Sequence, residues 1–240
     1  MISVHNVDKF FGSLQVLRSI QAEFESGKSY ALIGPNGSGK TTLIKCILGM
    51  VVADQGVIKL DGQSIHRQWE YRKHIGYMPQ IGRYPDNMTI GQLFSMMKDL
   101  RSDCIHRDEE LLEEFELNKM MDKRMHTLSG GTRQKVSAAL AFLFQPKILI
   151  LDEPTAGLDP LAVEIMKEKI QREMDGEKLF IITSHIMSDL DELASHALYL
   201  DNGNLIFNDS IALLKEETGE VRLGKAIATI MKRNLKRQTA

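Results

Sequence analysis

The stretch "GPNGSGKTT", Gly34 to Thr42, decides the fold. Gly34, Gly39, Lys40 and Thr41 meet the spacing G-x-x-x-x-G-K-[ST]. The β-rich run "KSYALIG" feeds into the loop, and "TTLIKCILGM" leaves it with Leu43, Ile44, Ile47 and Leu48 at helical spacing and a stop near Gly49. A glycine loop between a strand and a helix N-terminus is a phosphate cradle. Gly37 and Gly39 let the backbone wrap closely, and the amides from Gly37 to Thr42 are expected to face an anion, with Pro35, Asn36 and Ser38 completing the loop. Lys40 is expected against the β- and γ-phosphates of a nucleotide, and the Thr41 hydroxyl on magnesium.

Such a loop needs an acidic partner for the metal at the end of another buried strand. "ILILDEP" offers Asp152 and, directly after it, Glu153. Neighbouring carboxylates at a strand end point in different directions, so Asp152 is assigned to magnesium and Glu153 to a general base for an attacking water. A second glycine corner, "TLSGGTRQK" from Thr127 to Lys135, then poses a question, because one nucleotide needs only one cradle.

The rest of the chain sets bounds on the answer. Its 240 residues, 43% hydrophobic and 26% charged, suit a globular protein with a substantial core. A net charge of -2 and a pI near 6.4 give no overall field toward nucleic acid or an anionic membrane. Cys46 and Cys104 lie far apart with no partner motif, which fits unpaired thiols in a reducing compartment. "MISVHNVDKFFG" lacks the pattern of a secretion signal, and apolar runs such as "KILILDEP" stop far short of the ~20 residues needed to cross a bilayer.

Short β-rich runs open the chain ("MISVHNVD", "IQAEFES"), and "GVIKLDGQSI" reads as a hairpin around Asp61-Gly62. From Thr89 to about Met125 charged residues alternate with Leu, Met and Phe at helical spacing, as in "RDEELLEEFELNKMM". A helix is predicted after Gly131 with Val136, Ala139, Leu140 and Leu143 inward. The strand "KILILD", a helix over 160–174, the strand "LFIITS" and a helix over 187–195 follow. Strands alternating with helices argue an α/β fold around a mostly parallel sheet. The expected organisation is a core of residues 1–85 and 146–218, a helical subdomain over 86–145, and a basic tail over 219–240. From Arg222 onward the tail carries no Asp or Glu; it reads as a solvated helix or frayed end, or as a contact with anionic lipid.

The order of "GPNGSGKT", the glutamine in "IGYMPQ", "LSGGT", "ILILDEP", "AGLD" and the histidine in "TSH" resembles the nucleotide-binding domain of ABC (ATP-binding cassette) transporters, from about Ile2 to Leu214. The resemblance implies a P-loop NTPase core with an N-terminal antiparallel β subdomain and an inserted helical subdomain. It also answers the question posed by the second corner, since in that family this signature motif binds the γ-phosphate of ATP held by the other subunit. Ser129, Gly130 and Gly131 precede a helix whose N-terminal amides suit that role. Thr132 stands where the family's motif usually has Gln.

By the same resemblance Phe11 would stack on adenine, Gln80 would touch magnesium and water at the border of the helical subdomain, Asp159 would contact the opposite subunit, and His185 would contact the γ-phosphate. The activity implied is ATP hydrolysis with ATP and magnesium, catalysed by Glu153 with Lys40, Gln80 and His185 at a head-to-tail interface of two copies or of one copy and a paralogue. A separate permease would supply the membrane spans, placing the chain peripherally on the cytoplasmic face of the cell membrane with no nucleic-acid partner. "IGYMPQ" followed by "YPDNMTI" resembles cassettes serving ABC-2-type permeases, often exporters, and "LSGGTRQKVSAALAF" resembles cassettes linked to copper-site maturation of nitrous oxide reductase. The methionines Met88, Met96, Met97, Met120, Met121 and Met125 are read as adaptable packing and a groove for a partner helix, rather than as copper ligands. The rival class is an ABC-type ATPase acting on ribosomes or nucleic acid. Such proteins normally carry two cassettes in one chain or a long coiled-coil insertion.

Overall fold

A computed structural model of the chain describes residues 1–174 and 176–238, whose contacts divide into two compact units. The first comprises Met1–Tyr71 and the segment from Ile181 onward; the second is Arg72–Phe180.

The first unit opens with β1 (Ile2–Phe11), β2 (Leu14–Phe24), β3 (Ser29–Ile33), α1 (Lys40–Ile47), β4 (Gln55–Leu60) and β5 (Gln63–Ser64). β1, β2, β4 and β5 form an antiparallel sheet in the order β2-β1-β4-β5. The predicted turn is present: Asp61 and Gly62 have φ of 49° and 80°, the paired positive values that a two-residue hairpin requires. All five residues of β3 are buried, and the strand pairs in parallel with a later one. This is why the sequence leading into the glycine loop reads as continuously apolar. Leu43, Ile44, Ile47 and the capping Leu48 bury one side of α1 as their spacing predicts.

The second unit contains β6 (Ile75–Met78), α2 (Ile90–Leu100), α3 (Glu110–Glu114), α4 (Gly130–Phe142), β7 (Ile148–Asp152) and α5 (Pro160–Met174). β6 and β7 pair in parallel, Tyr77 opposite Ile150. Thr89 starts α2 with a capping box: its hydroxyl accepts from Gln92 N at 3.2 Å, and Gln92 Oε1 accepts from Thr89 N at 3.0 Å. The helical text "RDEELLEEFELNKMM" gives only a five-residue α3 and a separate 3-10 turn over Leu117–Met120. Glu116 adopts φ 54° between them, and this break lets Leu111, Leu112, Phe115 and Leu117 all reach the core. On α4, Val136 and Ala139 are buried, as is Leu143 just beyond it, while Leu140 stays partly exposed. Lys169 of α5, only 3% exposed, donates to Asp108 at 2.5 Å, Glu110 at 2.7 Å and Glu173 at 2.8 Å.

β8 (Leu179–Thr183), fully buried, carries the chain back to the first unit. There α6 (Met187–Leu193), β9 (His196–Asp201), β10 (Asn204–Ser210), α7 (Ile211–Thr218) and α8 (Leu223–Gln238) follow. The strands run in the order β10-β9-β3, with the β3–β9 pair parallel and the β9–β10 pair antiparallel. The basic tail is largely helix. Leu223, Ala226 and Ile227 are buried while Arg222, Lys225, Lys232 and Arg233 are exposed, and the side chains of Lys236 and Arg237, with Thr239 and Ala240, lie outside the described residues.

Candidate active site

In the first unit the glycine loop has the shape of a cradle that side chains would fill. At Gly34 a Cβ would lie 2.1 Å from the Leu200 carbonyl oxygen. Gly39, at φ 109°, would place one 2.9 Å from Val16 O. The chain reverses into α1 with no side-chain cap at Gly39 and no acidic residue in the first turn, so the helix N-terminus is open to an anion. Lys40 Nζ donates to Gly34 O at 2.7 Å and Pro35 O at 3.0 Å, which folds its ammonium over the loop. Ser38 Oγ is buried with no hydrogen-bond partner among the described residues. An unsatisfied hydroxyl, an amide-lined turn and a lysine fit a phosphate group.

Phe11 is 52% exposed at the end of β1, with the Lys9 ammonium 5.3 Å from its ring centroid. An aromatic left this open is available for stacking, and it is not a core residue. His185 is exposed just beyond β8, where Ser184 Oγ accepts from Ile186 N at 2.9 Å and shapes the turn into α6. Cys46, buried on α1, has its thiol pushed up to about 11 by burial, which leaves it protonated and inert at neutral pH.

The second unit holds the carboxylates and the signature turn. Asp152 ends β7 and is 6% exposed. Burial and then the Asp152 charge push the Tyr77 hydroxyl up to about 12, so it remains a neutral neighbour of that carboxylate. Glu153 follows at φ 56°, a conformation that side-chain-bearing residues seldom adopt, and it turns the chain sharply out of the strand. Gln80 is exposed two residues beyond β6.

Ser129 caps α4: its hydroxyl accepts from Thr132 N at 3.2 Å and pairs with Thr132 Oγ1 at 2.9 Å. The threonine found where glutamine is usual thus partners the signature serine. The first amides of a helix have no intrahelical partner, and the cap occupies that of Thr132, which leaves those of Gly130 and Gly131 for an anion. Asp159 accepts from Lys135 Nζ at 2.7 Å and caps α5 by accepting from Ala162 N at 3.0 Å, and both bonds hold its carboxyl below the usual range.

Phe11, the glycine loop and His185 therefore belong to the first unit, and Gln80, Ser129 to Gly131, Asp152, Glu153 and Asp159 to the second. Sequence reasoning passed over Gln134 and Lys135. Gln134 Nε2 donates to Glu153 O at 3.3 Å, and Lys135 reaches Asp159. The one available signal was that both polar residues lie just before a later stretch, Val136 to Phe142, that is almost all apolar.

A nucleotide-binding α/β fold with a phosphate loop, paired carboxylates and a second anion-directed helix start defines a cassette ATPase. The chain belongs to the ABC transporter family, whose sequence model matches residues 17–156. It is 32% identical over 227 residues to the Nod factor export ATP-binding protein I of Burkholderia lata, covering 91% of this chain and 74% of that one. The fold matches an ATP-binding subunit of an ABC transporter with TM-score 0.88 at 24% identity, over 96% of this chain and 99% of that one. It also matches a dimeric ATP-binding cassette in a post-hydrolysis state bound to ADP and Pi, with TM-score 0.77 at 22% identity over 88% and 98% of the chains.

The family assignment makes the chain an ATP-binding ATPase subunit of a transporter. Among the described residues no helix is long and apolar enough to cross a membrane.

Proposed function

We propose that the chain powers export through a separate ABC-2-type permease, docked on the cytoplasmic membrane face as a head-to-tail dimer in which each copy completes the other's ATP site. The observation that carries this reading is the Ser129-Gly130-Gly131 turn at the start of α4, exposed at Ser129 and Gly130: a second glycine corner at a helix start on a chain that already has a phosphate loop. In this account the loop amides and Lys40 hold the β- and γ-phosphates and Phe11 stacks on the adenine. Thr41, Gln80 and Asp152 would hold magnesium, which when bound would neutralise charge on the phosphoryl oxygens. Glu153 takes the proton of the attacking water, and His185 with Ser129 and Gly131 of the second copy stabilises the charge that develops. Asp159 reaches across the same interface.

A groove of about 570 Å³ in the second unit supports a membrane partner. Met96, Met97, Leu100 and Phe144 line it, and Arg72 and Arg83 stand among its lining residues. Methionines adapt to an inserted helix, and the arginines favour one with an acidic end. A short helix of the permease is the occupant this chemistry fits. Met97→Glu should reduce recovery of the permease from gently solubilised membranes while leaving basal ATP hydrolysis unchanged. Recovery of the wild-type chain with ribosomes or nucleic acid, and with no multi-span protein, would overturn the transport role. The narrower link to copper-site maturation of nitrous oxide reductase rests on "LSGGTRQKVSAALAF"; deleting the gene should then leave that enzyme short of copper, and full copper loading would refute it.

A further inference from the structure

We propose that Gln134 is a positioning residue for the general base, setting the direction of the Glu153 side chain from the helix that carries the signature turn. The proposal rests on the reading of Glu153 as that base.

Gln134 is 5% exposed, deep for a glutamine in the second turn of a helix. A buried amide is retained where its hydrogen bond is used, and this one donates Nε2–H to the Glu153 carbonyl oxygen at 3.3 Å. The acceptor residue is the unusual one. Glu153 holds φ 56° immediately after the fully buried strand β7, so its backbone is in a sparsely populated well that needs surrounding contacts to persist. The orientation of its carbonyl and the direction of its Cα–Cβ bond are coupled through that backbone. Fixing the carbonyl therefore aims the carboxylate.

The same helix grips the segment after Glu153 at further points. A Cβ on Gly131 would lie 2.7 Å from Gly157 O, so α4 and this segment touch backbone to backbone. Lys135 binds Asp159 at 2.7 Å. Gly131, Gln134 and Lys135 occupy the first two turns of α4, directly after Ser129. A displacement of the signature turn by a phosphate on the second copy would be felt at Glu153 through Gln134. Occupancy of one ATP site would thus set the base of the other.

The test compares Gln134→Met and Gln134→Leu, neither of which offers a donor, in the full chain. Each should lower kcat for ATP about tenfold while leaving KM and ATP-driven dimerisation unchanged, as expected for a misaimed base. In a Glu153→Gln background the same substitutions should cause no further loss in single-turnover hydrolysis, because the group they aim is already gone. An equal loss in both backgrounds, or a rise in KM at unchanged kcat, would overturn the proposal and leave Gln134 a packing residue. Full turnover by Glu153→Gln alone would instead remove the reading of Glu153 as base, and the proposal with it.

Discussion

The Lys135 ammonium and the Asp159 carboxylate meet at 2.7 Å, tying the signature helix to the segment that follows Glu153. Asp159 is thereby engaged within its own chain, and contact with a second copy would use its remaining lone pairs. The pair is solvent-accessible, Asp159 being 54% exposed, so it contributes little to folding. Lys135→Met should leave Tm nearly unchanged and lower ATP turnover several-fold. Below neutrality the wild type should keep the pair, because the Asp159 carboxyl titrates below the ordinary aspartate range; the contact is present above that value and lost as pH falls through it. A pH–rate comparison of wild type and variant measures this, and the two profiles should converge only at the acid end.

Gly131 leaves no room for a side chain. A methyl group there would sit 2.7 Å from Gly157 O, a backbone atom that cannot swing aside. Gly131→Ala should destabilise by about 1–3 kcal/mol through overpacking and abolish ATP-driven dimerisation. Gly130, with open space at its Cα, is the control. Gly130→Ala should keep wild-type stability, and thermal melts of the two variants distinguish them.

Much of this architecture is legible in the residues. The glycine loop announces itself because G-x-x-x-x-G-K-T between an apolar run and a helical period has one structural solution, and β3, the loop and α1 fall there. The Asp61-Gly62 hairpin is equally plain, since positive φ at both positions restricts the residue choice. The Asn202-Gly203 turn joining β9 and β10, with φ of 45° and 79°, carried the same signal. It stood unread because "HALYLDNGNLIFNDS" mixes apolar and polar residues on a half-exposed edge. The α3 region misleads for another reason: its local period is helical, but burial of Phe115 and Leu117 is better served by the left-handed Glu116, so packing overrides propensity. At the site, motif residues are visible because chemistry fixes their identity. Gln134 is not, because a glutamine on a helix ordinarily faces solvent and only tertiary contact reveals it as buried.

Lys169 anchors a network between α5 and the segment around α3. Lys169 itself is 3% exposed and bonds to the partly buried carboxylates of Asp108, Glu110 and Glu173, of which Glu110 also pairs with Arg172 and Glu173 with Lys178. Lys169→Met should cost about 1–3 kcal/mol in chemical denaturation. Burial alone would lower the lysine, but the carboxylates overcome it and hold the ammonium above its ordinary value. Its contribution is therefore complete at neutral pH and declines only as pH rises past the unfolded lysine value toward the folded one. The stability gap between wild type and variant should stay constant from pH 6 to 9 (~±0.5 kcal/mol) and narrow at strongly alkaline pH.

The most direct test of the account is the mass of Glu153→Gln in solution with and without ATP and magnesium, with hydrolysis followed in parallel. Removing the base while keeping the cradle should slow turnover by about 10²-fold or more and trap the closed pair. The variant should then run at twice the 27.1 kDa chain mass with ATP and return to monomer when the nucleotide is removed. A variant that stays monomeric at saturating ATP and magnesium and hydrolyses at the wild-type rate would contradict both the role of Glu153 and the shared ATP site.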